Sequence, residues 1–292
     1  MTRVPRSWLY VPGHRPERVA KALIAGADAV VIDLEDAVPA DQKESARQNA
    51  LAVLDDRVAR HDEGARGPQI WVRVNSPSLT VGRDDVAALH GAAVDGLRLP
   101  RADDPAVVRD VAEEARLPLY LLLENALGLS RALELARSHE LVQGIGLGEA
   151  DLAADLRADA DEGLTWARGA VVVAARAAGL PSPVQSVWTD VADLDGLSAS
   201  SLAGRAMGFF GRSVVHPSQV AVVHEVFTPT ADELAAARQV IRSAEEAAVR
   251  GEVAVLDAQG RFVDPAVVAR ARVVLDRAPS TATRSEKSHD EH

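Results

Sequence analysis

Two carboxylates ending apolar segments carry the first chemical signal in this chain. Leu119-Tyr120-Leu121-Leu122-Leu123 is continuously apolar and Glu124 terminates it. A second apolar segment enters Gly144-Ile145-Gly146-Leu147-Gly148-Glu149-Ala150-Asp151-Leu152, with glycines first and a carboxylate pair after them. Glycines let a backbone approach a ligand closely, and amides that open a helix point their N–H groups at anions. A carboxylate there can hold a hard cation while neighbouring amides hold an anionic substrate. Asp151 taken alone reads as an ordinary helix N-cap; the second carboxylate at Glu124 shifts the balance towards a site.

These residues need elements that bring them together. Short apolar runs alternate with helical patterns: strands are expected at Ser7–Val11, Ala29–Leu34, Gln69–Asn75, Gly96–Leu99, Leu119–Leu123, Gln143–Leu147, Pro183–Val187 and Gly211–Val215. Helices are expected across Arg15–Ala25, after Asp41 to Arg60, near Asp84–His90, and over Leu127–Ser138, Thr165–Ala178 and Leu197–Met207. Eight alternations with strands buried on both faces point to an α/β fold, a (β/α)8 TIM barrel, and no G-x-G-x-x-G follows the first strand to favour a doubly wound sheet. The barrel is expected over 1–229, with an appendage of helix, small hairpin and helix over 230–277. A disordered Ser-, Thr- and charge-rich tail is expected over 278–292.

In such a barrel the functional groups sit where strands end on the C-terminal face. Those ends read Asp33-Leu34-Glu35-Asp36, Arg73-Val74-Asn75, Arg101, Glu124-Asn125, Glu149-Ala150-Asp151, Gln185 and His216. Oxygen donors without His or Cys suit Mg²⁺ or Mn²⁺ rather than Zn²⁺. The only lysines are Lys21, Lys43 and Lys287, none at a strand end, which argues against a Schiff-base aldolase. Carbon–carbon cleavage without lysine would need a metal to stabilise developing charge.

Composition narrows the partners. A net charge of −11 disfavours nucleic acid as the main ligand. There is no cysteine and no apolar run long enough to span a bilayer, so a cytoplasmic protein without a membrane partner is the expectation.

Six motifs in order resemble the citrate lyase β-subunit family of HpcH/HpaI-type aldolases, related to malyl-CoA and citramalyl-CoA lyases. They are Arg6-Ser7-Trp8-Leu9-Tyr10-Val11-Pro12-Gly13, Val31-Ile32-Asp33-Leu34-Glu35-Asp36-Ala37-Val38, Val72-Arg73-Val74-Asn75, Leu123-Glu124-Asn125-Ala126, Gly148-Glu149-Ala150-Asp151-Leu152 and Val215-His216-Pro217-Ser218-Gln219. The resemblance implies a Mg²⁺-dependent carbon–carbon lyase. Its substrate would be a 3-hydroxyacyl thioester on CoA or a carrier protein, cleaved to an acetyl-thioester and a 2-oxo acid. It implies Glu124 and Asp151 as metal ligands and Arg73 as the cation that meets substrate and offsets enolate charge. Glu124 and the Glu149-Ala150 amides would bind the oxo acid, Arg15 a phosphate of the carrier, and Glu35 and Asp36 the metal through water.

Asp264 is implied as an acid/base that reaches a neighbouring subunit's site in a homo-oligomer, most simply a trimer. Each has a plainer rival: Glu35, Asp36 and Asp264 as helix caps, Arg73 as a structural ion-pair partner. Two further readings stand beside the lyase, a β subunit of a carrier-dependent citrate lyase complex and a catalytically silent barrel scaffold. The chain departs from the family pattern at Leu99-Pro100-Arg101 and Gly211-Arg212, where lysine is frequent.

Overall fold

The structure is a computed structural model and describes residues 4–61, 67–257 and 259–278. It divides into two compact units, Met1–Phe227 and Thr228–His292.

The first unit is built on seven parallel strands: β1 Ser7–Pro12, β2 Ala29–Asp33, β3 Gln69–Arg73, β4 Gly96–Leu99, β5 Leu119–Leu123, β6 Val142–Leu147 and β7 Arg212–Val214. Their order is β6-β5-β4-β3-β2-β1-β7. The expected strand at Pro183–Val187 is not one; Gln185 makes a single parallel bridge to Arg212. Pro181 and Pro183 have no N–H to give to a ladder. The segment still joins the two outer strands. Gln185 N donates to Gly211 O at 3.0 Å, and Ser186 Oγ donates to Leu147 O at 2.7 Å.

Alternation along each strand separates two apolar layers. Leu9, Val30, Ile32, Val72, Leu97, Leu119 and Leu121 face the surrounding helices. Trp8, Val31, Trp71, Tyr120, Leu122 and Val184 form a second cluster inside the curl of the sheet, with Tyr10 packed on it. One row of register partners runs Asp33, Arg73, Arg98, Tyr120, Gly144 across five strands.

The helices of this unit are α1 Pro16–Leu23, α2 Lys43–His61, α3 Thr80–Ala88, α4 Pro105–Ala115, α5 Ala126–Ser130, α6 Ala132–Ala136, α7 Glu149–Leu156, α8 Thr165–Ala177, α9 Leu194–Met207 and α10 Ser218–Phe227. The helix expected over Leu127–Ser138 is broken at Arg131, which leaves helical geometry at φ −102°, ψ 13°. A 3₁₀ turn over Ala40–Gln42 contains Asp41 and leads directly into α2.

The second unit contains α11 Ala231–Val249, a hairpin of β8 Val255–Leu256 and β9 Phe262–Val263, and α12 Pro265–Asp276. Thr230 and Glu233 form a reciprocal capping box at the start of α11. The tail expected to be disordered lies outside the described residues, Ala278 apart.

Candidate active site

Asp33 is the last residue of β2 and 1% exposed. Its position opposite Arg73 in a parallel pair sets up a fork-to-fork contact: Arg73 Nε donates to Oδ1 and Nη2 to Oδ2, both at 2.7 Å. The same carboxylate accepts from the N–H groups of Glu35 and Ala37. This leaves Nη1 of Arg73 for other partners. It donates to Asp36 Oδ2 at 3.2 Å and lies 2.8 Å from Glu35 Oε2. That second approach is an ion pair without hydrogen-bond alignment, so Glu35 Oε2 is a buried oxygen with no hydrogen-bond partner.

Glu124 sits one residue past β5 and accepts the Arg101 N–H at 2.9 Å. Burial pushes its carboxyl up to about 7, against the Arg101 N–H and the Arg73 charge, with Asp151 and Asp36 adding to the rise. Burial likewise pushes Glu35 up to about 8, against Arg73, with Glu124, Asp36 and Asp33 adding to it. Asp151 stands exposed in the first turn of α7 and makes no hydrogen bond or ion pair among the described residues.

The alternate glycines that lead into α7 make room for β5. A Cβ on Gly144 would lie 2.4 Å from the Tyr120 ring, one on Gly146 2.8 Å from the Tyr120 hydroxyl, and one on Gly148 2.4 Å from Glu124 Cγ. Their close approach is therefore to side chains of the neighbouring strand, which corrects the expectation of a glycine loop around a ligand. Gly148→Ala is expected to displace Glu124 and raise the half-saturating metal concentration at least ~10-fold, while overpacking costs about 1–3 kcal/mol of stability. A magnesium titration of activity beside thermal melts checks both; unchanged half-saturation would mean that Glu124 tolerates displacement.

Among the described residues no three His, Cys, Asp or Glu side chains converge on a metal-sized site. Two carboxylates still fit a magnesium-type cation, which takes water and substrate oxygens for its remaining positions. The fit rests on the donor chemistry: Glu124 raised by burial with Asp151 and Asp36 adding to the rise, Asp151 with no hydrogen bond or ion pair among the described residues, and the buried Glu35 Oε2 lacking a hydrogen bond.

The HpcH/HpaI aldolase/citrate lyase family matches residues 6–217, and a C–C bond lyase family of the TIM-barrel fold matches 172–270. The chain belongs to the HpcH/HpaI aldolase/citrate lyase family. It is 34% identical over 300 residues to citrate lyase subunit beta of Escherichia coli K12, covering 98% of this chain and 97% of that protein. It is 38% identical over 282 residues to a (3S)-malyl-CoA thioesterase of Cereibacter sphaeroides ATCC 17025, covering 95% of each. The crystal structure of CitE from Mycobacterium tuberculosis with magnesium, acetoacetate and coenzyme A matches at a TM-score of 0.78 with 30% identity, over 95% of this chain and 98% of that one.

Within this family member, the remaining residues singled out from sequence are spread more widely. Glu149 opens α7, but Arg168 holds both of its carboxylate oxygens, so only its backbone is free for a ligand. Ala150 lies exposed in the same turn. Arg15 precedes α1 and donates to His14 at 3.1 Å, sharing no hydrogen bond or ion pair with the carboxylates. Asp264 caps α12, accepting the Val267 N–H at 2.8 Å. His216 pairs with Ser218 Oγ in its loop.

The two departures from the family pattern separate. Arg101 reaches Glu124 through its backbone N–H from a left-handed conformation, φ 51°, so its side-chain type does not enter that contact. Arg212 is buried, faces Ser200, Ser201 and the Trp188 ring, and burial lowers it to about 10.

Two residues were not singled out from sequence, Arg98 and Arg168, and Asp33 stood among the strand ends without a role of its own. Arg98 is 1% exposed, its guanidinium 4.4 Å from the Tyr120 ring and 4.8 Å from Trp8. A charge at the inward position of the four-residue strand Gly96-Leu97-Arg98-Leu99 was the available signal for it. Asp33 at the end of Ala29-Val30-Val31-Ile32 was the same signal.

Proposed function

We propose that this chain is a Mg²⁺-dependent carbon–carbon lyase that cleaves a 3-hydroxyacyl thioester such as malyl-CoA, citramalyl-CoA or a citryl-thioester to an acetyl-thioester and a 2-oxo acid. The observation that carries the reading is the Arg73 guanidinium held by Asp33 beside two buried, raised carboxyls, Glu35 and Glu124. Relatives bound to magnesium with acetoacetate and coenzyme A, and with oxaloacetate, support the same ligand classes.

Glu124 and Asp151 would hold the metal, with Mn²⁺ as a substitute. When bound, the cation supplies fixed positive charge for the oxo-acid oxygens and the charge that develops on them. Arg73 presents Nη1 towards the same region, already oriented by Asp33. The amides of Glu149 and Ala150 offer donors to the oxo-acid carboxylate, and Arg15 a cation to the CoA phosphates. Loss of the hydroxyl proton lets the bond between the hydroxyl carbon and the thioester α-carbon break; its electron pair forms the thioester enolate, which takes a proton at carbon. Asp264 is the proposed donor of that proton.

The reading includes closure of the sheet into a (β/α)8 barrel with Pro183–Val187 in the place of an eighth stave. It also includes a cytoplasmic location and a homotrimer in which residues 230–277 serve a neighbour. No described helix is long and apolar enough to cross a membrane. The hairpin leaves Leu256 and Phe262 exposed as a cross-strand pair, an apolar surface suited to a partner chain. Mixing Asp264→Ala with Glu124→Ala subunits is expected to restore partial activity to two inactive parents. Mixed oligomers that form and stay inactive would place Asp264's action within its own chain or in capping alone.

Thioester hydrolysis is the second reading, favoured by the 38% identity to a malyl-CoA thioesterase. Purified protein should be assayed against a panel of 3-hydroxyacyl-CoA thioesters, with Mg²⁺ and with chelator. A metal-dependent 2-oxo acid released without free thiol supports cleavage. Free thiol released without oxo acid supports hydrolysis, and no turnover of any member supports a silent scaffold. Turnover only in the presence of carrier-protein partners would mark a citrate lyase β subunit.

A further inference from the structure

Helix α7 begins abruptly. Gly148 precedes it without a side-chain cap, so the N–H groups of its first turn have no acceptor within the helix. The helix is two turns long, and Leu152 is its one buried residue. Leu152 and the partly buried Ala153 pack on the core and Asp155 accepts the Ala126 N–H at 2.7 Å, all at or beyond the end of the first turn, while the start of that turn carries Asp151 and the amides of Glu149 and Ala150.

Helix α8 is anchored differently, with Ala167, Val171, Ala174 and Ala175 buried. From it Arg168 reaches across. Nε donates to Glu149 Oε1 at 3.0 Å and Nη2 to Oε2 at 2.6 Å. Nη1 and Nη2 also donate to the two carboxylate oxygens of Asp161, at 2.8 and 2.6 Å. One planar guanidinium thus grips two carboxylates, and the first residue of α7 is tied to a firmly packed helix.

We infer that Arg168 positions the first turn of α7 for ligand binding and neutralises Glu149 there; this rests on the lyase reading above. A free Glu149 carboxylate beside the turn would repel an incoming oxo-acid carboxylate. Arg168 removes that repulsion and fixes the direction of the free amides together. Lysine keeps a charge but loses the fork. The pairing with Asp161, whose side chain is 77% exposed, contributes little to folding, whereas the pairing with Glu149 is partly buried and carries the positioning.

The test uses the full-length protein with Mg²⁺ and pyruvate as the 2-oxo acid probe, read by calorimetry, with half-saturation and kcat for the condensation direction measured alongside. Arg168→Lys should weaken pyruvate binding about 10-fold, with the loss falling on half-saturation more than on kcat and the thermal midpoint within a few degrees of wild type. Arg168→Gln should lose more, and Arg168→Gln combined with Glu149→Gln should recover part of it, because the uncompensated carboxylate is gone. Binding unchanged in Arg168→Lys, or no recovery in the double variant, overturns the inference while leaving the lyase reading intact. Pyruvate is replaced by glyoxylate or oxaloacetate where the wild type binds one of those instead, and wild-type protein that binds none of the three with Mg²⁺ overturns that reading and this inference together.

Discussion

Glu124→Gln is expected to lower metal-supported turnover by about a thousandfold or more and, in chelator, to raise the thermal midpoint. The two effects have one cause. Glu124 is 6% exposed and its carboxyl is pushed up to about 7 from the ordinary 4.5, chiefly by burial. Between those values the folded state binds more protons than the unfolded chain, so stability falls as pH rises through the window. Above about 7 the full penalty is present, on the order of 3 kcal/mol. Glutamine removes the charge, and its carbonyl can still accept the Arg101 N–H. The gain should therefore appear above pH 7 and vanish below about pH 4.5, where the wild-type carboxyl is protonated in both states. Melting both proteins in chelator across this range reads the stability arm, and a magnesium titration of turnover reads the other. A variant that keeps metal-dependent turnover would remove Glu124 from the site. At sub-saturating magnesium the wild-type activity should also fall as pH drops, because protons compete with the cation for the Glu124 carboxylate.

Which features were legible in sequence follows from the physics of each. Six of the eight expected strands, and the eighth as β7, are observed; the clearest traces are the buried apolar runs of β2 and β5, which strands buried on both faces leave in any chain. The seventh was read from the apolar residues of Pro183-Val184-Gln185-Ser186-Val187, but prolines withhold the donors a ladder needs. Helix α4 was not assigned, although Asp104 accepts the Ala106 N–H as its cap and Pro105 occupies the first turn. Those are local start signals, available without any tertiary information.

The site divides in the same way. Carboxylates that terminate apolar strands were visible because strand ends are the functional end of the architecture. The pairings that hold them were not, because Asp33 meets Arg73 and Arg168 meets Glu149 across 40 and 19 residues of sequence separation. The glycines were misread for a related reason. Spacing showed that something must come close, while only the fold shows that it is Tyr120 and Glu124.

Arg73→Lys carries the second large expectation, a fall in kcat/KM of about a hundredfold or more with a loss of about 1–2 kcal/mol in stability. Arginine here performs two tasks with one plane. Nε and Nη2 engage both oxygens of Asp33, and Nη1 faces Glu35 and Asp36. The guanidinium also lies 5.3 Å from the Tyr10 ring centre, a contact that favours the flat cation. A lysine ammonium can satisfy Asp33 or reach the carboxylates beyond it, but it cannot do both from one point. Asp33 would remain partly satisfied by the Glu35 and Ala37 N–H groups, which limits the stability loss. Turnover should therefore fall much further than stability. Measuring kcat/KM beside the thermal midpoint separates the tasks: near-normal turnover in a destabilised variant would reduce Arg73 to the ion-pair partner of Asp33, and the positive charge beside the carboxylates would have to come from elsewhere.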